Sequence, residues 1–149
     1  MSSLSNFVKR IRDIMRNDAG INGDAQRIEQ IAWMLFLKVY DAKEQDWDMA
    51  EKDYQSIIPE ECRWSNWAVD DKSGNAMTGD RLMNFVNNTL FPTLKGLEVT
   101  PETPIKKSIV RTTFEDANNY MKDGVLLRQV LNIIDELDLS DYEESHAFG

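Results

Sequence analysis

Asp24-Ala-Gln-Arg-Ile-Glu-Gln-Ile-Ala-Trp-Met-Leu-Phe-Leu-Lys-Val-Tyr40 is the stretch on which the fold turns. It is long enough for several helical turns, and residues 31–37 place apolar side chains on every side of a helix. A helix that is apolar all round must be wrapped by other elements, so this run is expected at the centre of the fold. Asp24 stands where an N-cap is wanted. The apolar character lasts through Tyr40 and gives way to a polar run at residues 41–46. A further, weakly periodic helical piece is expected from Asp48 to Gln55.

Toward the N-terminus, Leu4, Phe7, Val8, Ile11, Ile14 and Met15 follow helical spacing and predict an amphipathic helix over residues 4–17, capped by Ser3. Residues 18–23 form a turn, with Gly20 and Gly23 able to take positive φ. Toward the C-terminus, Pro59 breaks the chain before a compact loop bearing Trp64 and Trp67. Residues 70–79 read as loop. Asp80 caps a helix whose Leu82, Phe85, Val86 and Leu90 share a face, and Pro92 kinks or ends it. Gly96, Pro101 and Pro104 bracket a connection. A short helix is expected over residues 105–111, and residues 113–120 are ambiguous. After Asp123, the apolar positions Val125, Leu126, Leu127, Val130, Leu131, Ile133, Ile134 and Leu137 form a wide stripe, and Ser140 with Glu143 suggests a capping box opening another helix. No segment alternates with the period of a strand. The expected fold is all-α, a multi-helix orthogonal bundle with long loops.

With 149 residues the chain suits one domain with a single core. A lone cysteine, Cys62, excludes an internal disulfide or a cysteine-based zinc site and fits a reducing cytoplasm. The longest strictly apolar run is residues 31–37, too short to span a membrane. The N-terminus has no uninterrupted apolar segment of the secretory kind. Net charge is −9, which argues against gripping nucleic acid by overall electrostatics. The acids concentrate in residues 41–61 and 123–149, each at net −6, whereas residues 1–40 stand at +2 and residues 62–122 at +1. An anionic partner would therefore favour residues 1–40 or residues 62–122.

No catalytic constellation is evident. There is no Gly-x-Gly loop to cradle a nucleotide. His146 has no nearby nucleophile and reads as an exposed tail residue. Cys62 lies beside Arg63, which lowers a thiol pKa only with suitable geometry, so a bland loop cysteine is the simpler reading. The acidic pairs Glu60–Glu61 and Asp70–Asp71 mean little for acid–base work without a pocket. No catalytic, cofactor-binding or metal-binding residue is assigned. Trp33 reads as core, and Trp64 and Trp67 as a staple holding the Pro59 loop to the bundle, rather than as base-stacking platforms.

Nucleic-acid contact has one candidate. On the first helix Lys9, Arg12 and Arg16 share a face, with Arg10 beside them, away from the apolar stripe. Such a row can contact phosphates. The simpler reading is a solvated face with local ion pairs, Lys9 to Asp13 among them. Lys106, Lys107 and Arg111 form a second, weaker cluster. No arrangement of Asn or Gln among arginines suggests base readout.

The order of these pieces resembles the N-terminal helical domain of the methylation subunit of type I restriction-modification systems. The resemblance is carried by the amphipathic first helix, the Ile28–Tyr40 helix with Leu35-Phe-Leu-Lys38, the loop from Ile58-Pro to Arg63-Trp64, and the ending Leu137-Asp-Leu-Ser through His146-Ala-Phe-Gly149. It implies residues 1–139 as the helical domain and residues 140–149 as the start of a linker to a methyltransferase domain absent from this chain. That domain would use S-adenosylmethionine to methylate adenine N6 through an Asn-Pro-Pro-aromatic motif. Neither the motif nor the cofactor glycines occur here, so no activity is expected from this chain alone. The implied partners are the specificity subunit, a second methylation subunit and the restriction subunit, with DNA in the assembled complex. The rival reading is a standalone acidic interaction module or DNA mimic, which the basic residues of the first helix interrupt.

Overall fold

The computed structural model describes residues 2–137, with side chains from residue 5 onward. The expected capping box at Ser140 and Glu143, the tail histidine His146 and the linker at residues 140–149 lie outside the described residues. The helices are α1 (Ser2–Met15), α2 (Asp24–Ala50), α3 (Trp64–Trp67), α4 (Gly79–Phe85), α5 (Phe91–Lys95), α6 (Ile105–Glu115) and α7 (Gly124–Glu136). A 3₁₀ turn, Glu60–Cys62, precedes α3. No strand occurs among the described residues, and the fold is all-α.

The 27 residues of α2 form an axis about 40 Å long. Its buried face is Gln30, Trp33, Met34, Leu37, Tyr40, Asp41 and Glu44, a stripe at helical spacing. Trp33 meets the rings of Phe91 and Phe114 edge-on, at centroid distances of 4.9 and 6.3 Å. The wrapping of α2 is less complete than its sequence suggests: Ile31, Leu35 and Phe36 are only partly buried against the core, and Ala32 is exposed. No separate helix covers 48–55, because α2 runs unbroken to Ala50. It passes through the polar residues 41–46 because the two that turn inward find partners. Asp41 accepts from Gln45 at 3.3 Å, and the buried Glu44 accepts from the Tyr54 hydroxyl at 2.6 Å with Arg63 at 3.7 Å.

Several caps differ from expectation. α1 begins at Ser2, so Ser3 is inside the helix. Gly23, at φ 94°, occupies the N-cap of α2, and Asp24 instead pairs with Arg27 one turn on. Thr78 rather than Asp80 precedes α4. Asp123 does cap α7, accepting from the backbone N–H groups of Val125 and Leu126 at 2.9 and 3.1 Å. α6 reaches Glu115, four residues past the expected end, taking in the first part of the ambiguous stretch.

Pro92 does not end the helical run, which continues to Lys95. Residues Val86–Leu90 form a π turn joining α4 to α5, with the Phe91 N–H bonded to the Val86 carbonyl. A proline inside an α-helix lacks a donor and crowds the carbonyl four residues back; widening the preceding turn relieves both. The apolar face of Leu82, Val86, Leu90 and Leu94 therefore stays continuous and buried.

Buried polar groups join elements distant in sequence. Asp18 accepts the backbone N–H groups of Gly20, Lys122 and Asp123, which pins the α1–α2 turn to the start of α7. Gly20 stays out of positive φ; its role is close approach, since a Cβ there would meet the Tyr120 carbonyl. Gln30, wholly buried, donates to Asn119 at 2.8 Å and accepts from the Tyr120 N–H at 2.7 Å. Arg128 donates to Asn132 and to the carbonyls of Met77 and Ala68, holding the loop before α4 against α7.

Candidate nucleic-acid interface

α1 lies against α7 through Ile11 and Met15, both buried, flanked by the partly buried Phe7 and Ile14. Val8, expected in that stripe, is 47% exposed, because it lies toward the edge where the apolar face meets the basic one. The opposite side of α1 faces solvent. At about 100° per residue, Lys9, Arg12 and Arg16 fall within about 60° of one another around the helix. All three are exposed.

Arg10 separates from this row. It projects toward the α7 side, pairs with Glu136 at 3.5 Å and lies 6.0 Å from the centroid of the Phe7 ring. Asp13 pairs with Arg16 at 3.8 Å rather than with Lys9. Among the described residues, Lys9 and Arg12 have no carboxylate within ion-pair distance. Within α1, these two are the cations left open to an anionic partner.

The second basic cluster is committed to the fold. Lys106 binds Glu51 at 2.5 Å and lies over the rings of Trp47 and Tyr54. Lys107 lies 5.1 Å from the Tyr54 ring centroid, and Arg111 pairs with Glu115 at 4.0 Å. An anion would have to displace these partners.

The tryptophans are structural. Trp67 donates to the Cys62 carbonyl at 3.1 Å, the backbone acceptor a staple requires, while Trp64 takes the Asp135 carboxylate instead. Cys62 is fully buried, and burial together with the neighbouring Glu61 pushes its thiol up to about 11. The Arg63 side chain is drawn to Glu44 and Glu60, so it does not activate the sulfur. Among the described residues no group of three or more His, Cys, Asp or Glu is placed to hold a metal ion. No helix of the described residues is long and apolar enough to cross a membrane.

The HsdM N-terminal domain family matches residues 4–134. The type I restriction enzyme EcoEI methylase subunit of Escherichia coli is 46% identical over 147 residues, covering 99% of this chain and 29% of that subunit. A modification subunit assigned to a type I restriction enzyme from Vibrio vulnificus YJ016 superposes with TM-score 0.83 at 30% identity, covering 98% of this chain and 33% of that one. A chain from structural work on complex assembly and conformational transition of the type I R-M system superposes with TM-score 0.77 at 32% identity, covering 93% and 26%. The chain thus spans about a third or less of each relative.

Proposed function

This chain belongs to the HsdM N-terminal domain family, the helical N-terminal part of type I restriction-modification methylase subunits, and on that premise we propose that it serves subunit assembly and closure around DNA. The match across residues 4–134 carries the reading. The module is catalytically silent by itself. In a whole subunit, S-adenosylmethionine supplies the methyl group for adenine N6. The residues present here do not fit that cofactor, since no Gly-x-Gly loop is available to receive its adenosyl part. Methyl transfer therefore belongs to the remainder of such a subunit.

Its partners on this reading are the specificity subunit, a second methylation subunit and the restriction subunit, in the cytoplasm. The chain's contribution toward DNA is phosphate contact from α1, through Lys9, Arg12 and Arg16, with Arg10 held mainly by Glu136. The exposure of the first three and the lack of a carboxylate beside Lys9 and Arg12 among the described residues support this face. Net charge of −9 limits the contact to an assembled complex, where other chains supply most of the attraction.

Two measurements test the reading. S-adenosylmethionine titrated into the 149-residue chain gives no binding heat; micromolar binding overturns catalytic silence. Methyltransferase reconstituted with Lys9→Glu, Arg12→Glu and Arg16→Glu assembles normally but binds duplex DNA more weakly at low salt. Unchanged binding rules out this face of α1.

A further inference from the structure

Between α2 and the end of α6 lies a surface notch of about 340 Å³, lined by Glu29, Ala32, Trp33, Thr113, Asp116 and Ala117. None of these residues belongs to the α1 face. We propose that the notch receives a lysine or arginine side chain from a partner protein. The proposal rests on the assembly reading and adds to it a place and a chemistry of contact.

Three features select that occupant. The first is the indole of Trp33. The residue is 1% exposed, yet its Nε1–H has no acceptor among the described residues. Each of the other indoles at the Pro59 loop, Trp64 and Trp67, has found one. A buried donor left unpaired is costly enough to mark a place where a further group completes the structure. Because Trp33 is also one of the notch's lining residues, the peptide carbonyl beside a side chain seated there would be a candidate acceptor.

The second feature is the rim. Glu29 and Asp116 are exposed carboxylates on opposite walls, one on α2 and one just past α6. Glu29 accepts from the Tyr120 hydroxyl at 2.6 Å, which holds it in place while leaving its second oxygen free for a cation. Asp116 follows the C-terminus of α6, the negative end of that helix dipole. Lys95 already donates to the carbonyls of Phe114, Glu115 and Ala117, so the helix end itself is capped and a second cation would pair with the carboxylates.

The third feature is the floor. Ala32 and Ala117 offer apolar surface for a methylene stem, with the buried Trp33 beneath them. An apolar floor beneath two carboxylates matches a side chain with an aliphatic stem and a charged tip.

The test uses the 149-residue chain and the probe Nα-acetyl-arginine methylamide, with the lysine analogue and the neutral citrulline analogue in parallel arms. The readout is the assigned Trp33 indole N–H resonance. Saturable movement of that resonance by the arginine or lysine probe, absent with citrulline, supports the proposal. The doubly substituted Glu29→Gln, Asp116→Asn chain, both changes being at exposed positions, keeps its spectrum elsewhere and loses about tenfold in apparent affinity. No saturable movement, equal response to citrulline, or an unchanged affinity in the double variant overturns it. Co-elution of the unaltered chain with the specificity subunit is scored separately. Its failure would count against the assembly reading, whereas a silent Trp33 resonance with intact co-elution counts against the notch alone.

Discussion

The indole N–H of Trp64 donates to Asp135 Oδ1 at 2.9 Å, across 71 positions of sequence. The same aspartate receives Lys38 from α2, whose ammonium lies 2.5 Å from the Asp135 carbonyl and 3.5 Å from Oδ1. One residue in the last turn of α7 thus ties α2 and α3 together, beside the Arg10–Glu136 pair that holds α1.

Removing that node leaves a buried indole N–H and a largely buried ammonium without their carboxylate. Asp135→Ala is expected to destabilise the fold by about 2–4 kcal/mol, and Asp135→Asn by less, since its amide oxygen still accepts from Trp64. Urea denaturation followed by tryptophan fluorescence measures both. Equal losses for the two variants would show that the acceptor is unimportant.

Arg128 is buried and satisfied mainly by carbonyls, and burial lowers its pKa. Arg128→Met removes the charge along with the donors that hold Ala68 and Met77. Limited proteolysis should then cut within residues 69–78 faster than in the parent chain, with a stability loss of about 2–4 kcal/mol.

Two glycines distinguish packing from backbone strain. A Cβ on Gly124 would collide with the backbone of Gly79, which has little freedom to move, so Gly124→Ala should cost about 3 kcal/mol or more. Gly74, at φ 90° with open space around it, should cost only about 1–2 kcal/mol as alanine, through strain alone. Thermal melts of the two variants rank them.

The Cys62 thiol ordinarily titrates near 9 and in the fold is pushed up to about 11. Between these values the unfolded chain gives up the proton before the folded one does, so this group's contribution to stability falls as pH rises from about 9 to about 11. A Cys62→Ala chain should lose less stability over that window than the parent. Thiol labelling of the folded chain at pH 8 should be slow and should accelerate sharply in urea.

Arg10 and Arg12 differ by two positions and should behave differently. Arg10→Ala should lower stability by about 0.5 kcal/mol, because its pair with Glu136 is exposed, and leave DNA binding by assembled methyltransferase nearly unchanged. Charge reversal at Lys9, Arg12 and Arg16 should leave stability nearly unchanged and reduce the salt slope of DNA binding by up to about 3. Binding isotherms at several salt concentrations check both.

Much of the fold was legible because helical periodicity is a local property. The apolar stripe of α7 and its start after Asp123 follow from spacing within a few turns, whereas the α2 run, apolar on every side, left open which face would be buried. The row Lys9, Arg12 and Arg16 was legible for the same reason. Its separation from Arg10 was set by Glu136 on another helix. The π turn before Pro92 could not be read, because widening a turn and ending the helix answer the same local steric problem. Continuing the helix keeps Leu82, Val86, Leu90 and Leu94 in the core, and that choice belongs to the packing.

The amino-acid sequence by itself determined an all-helical domain, which segment forms its axis, and the family to which the chain belongs. Tertiary structure decided which polar groups are buried and with whom: Asp18 with Lys122, Gln30 with Asn119, Arg128 with Met77, and Trp33 with no acceptor among the described residues. A residue's spacing along a helix says which way it faces. What meets it there can come from chain more than a hundred positions away, brought close only when the apolar faces pack.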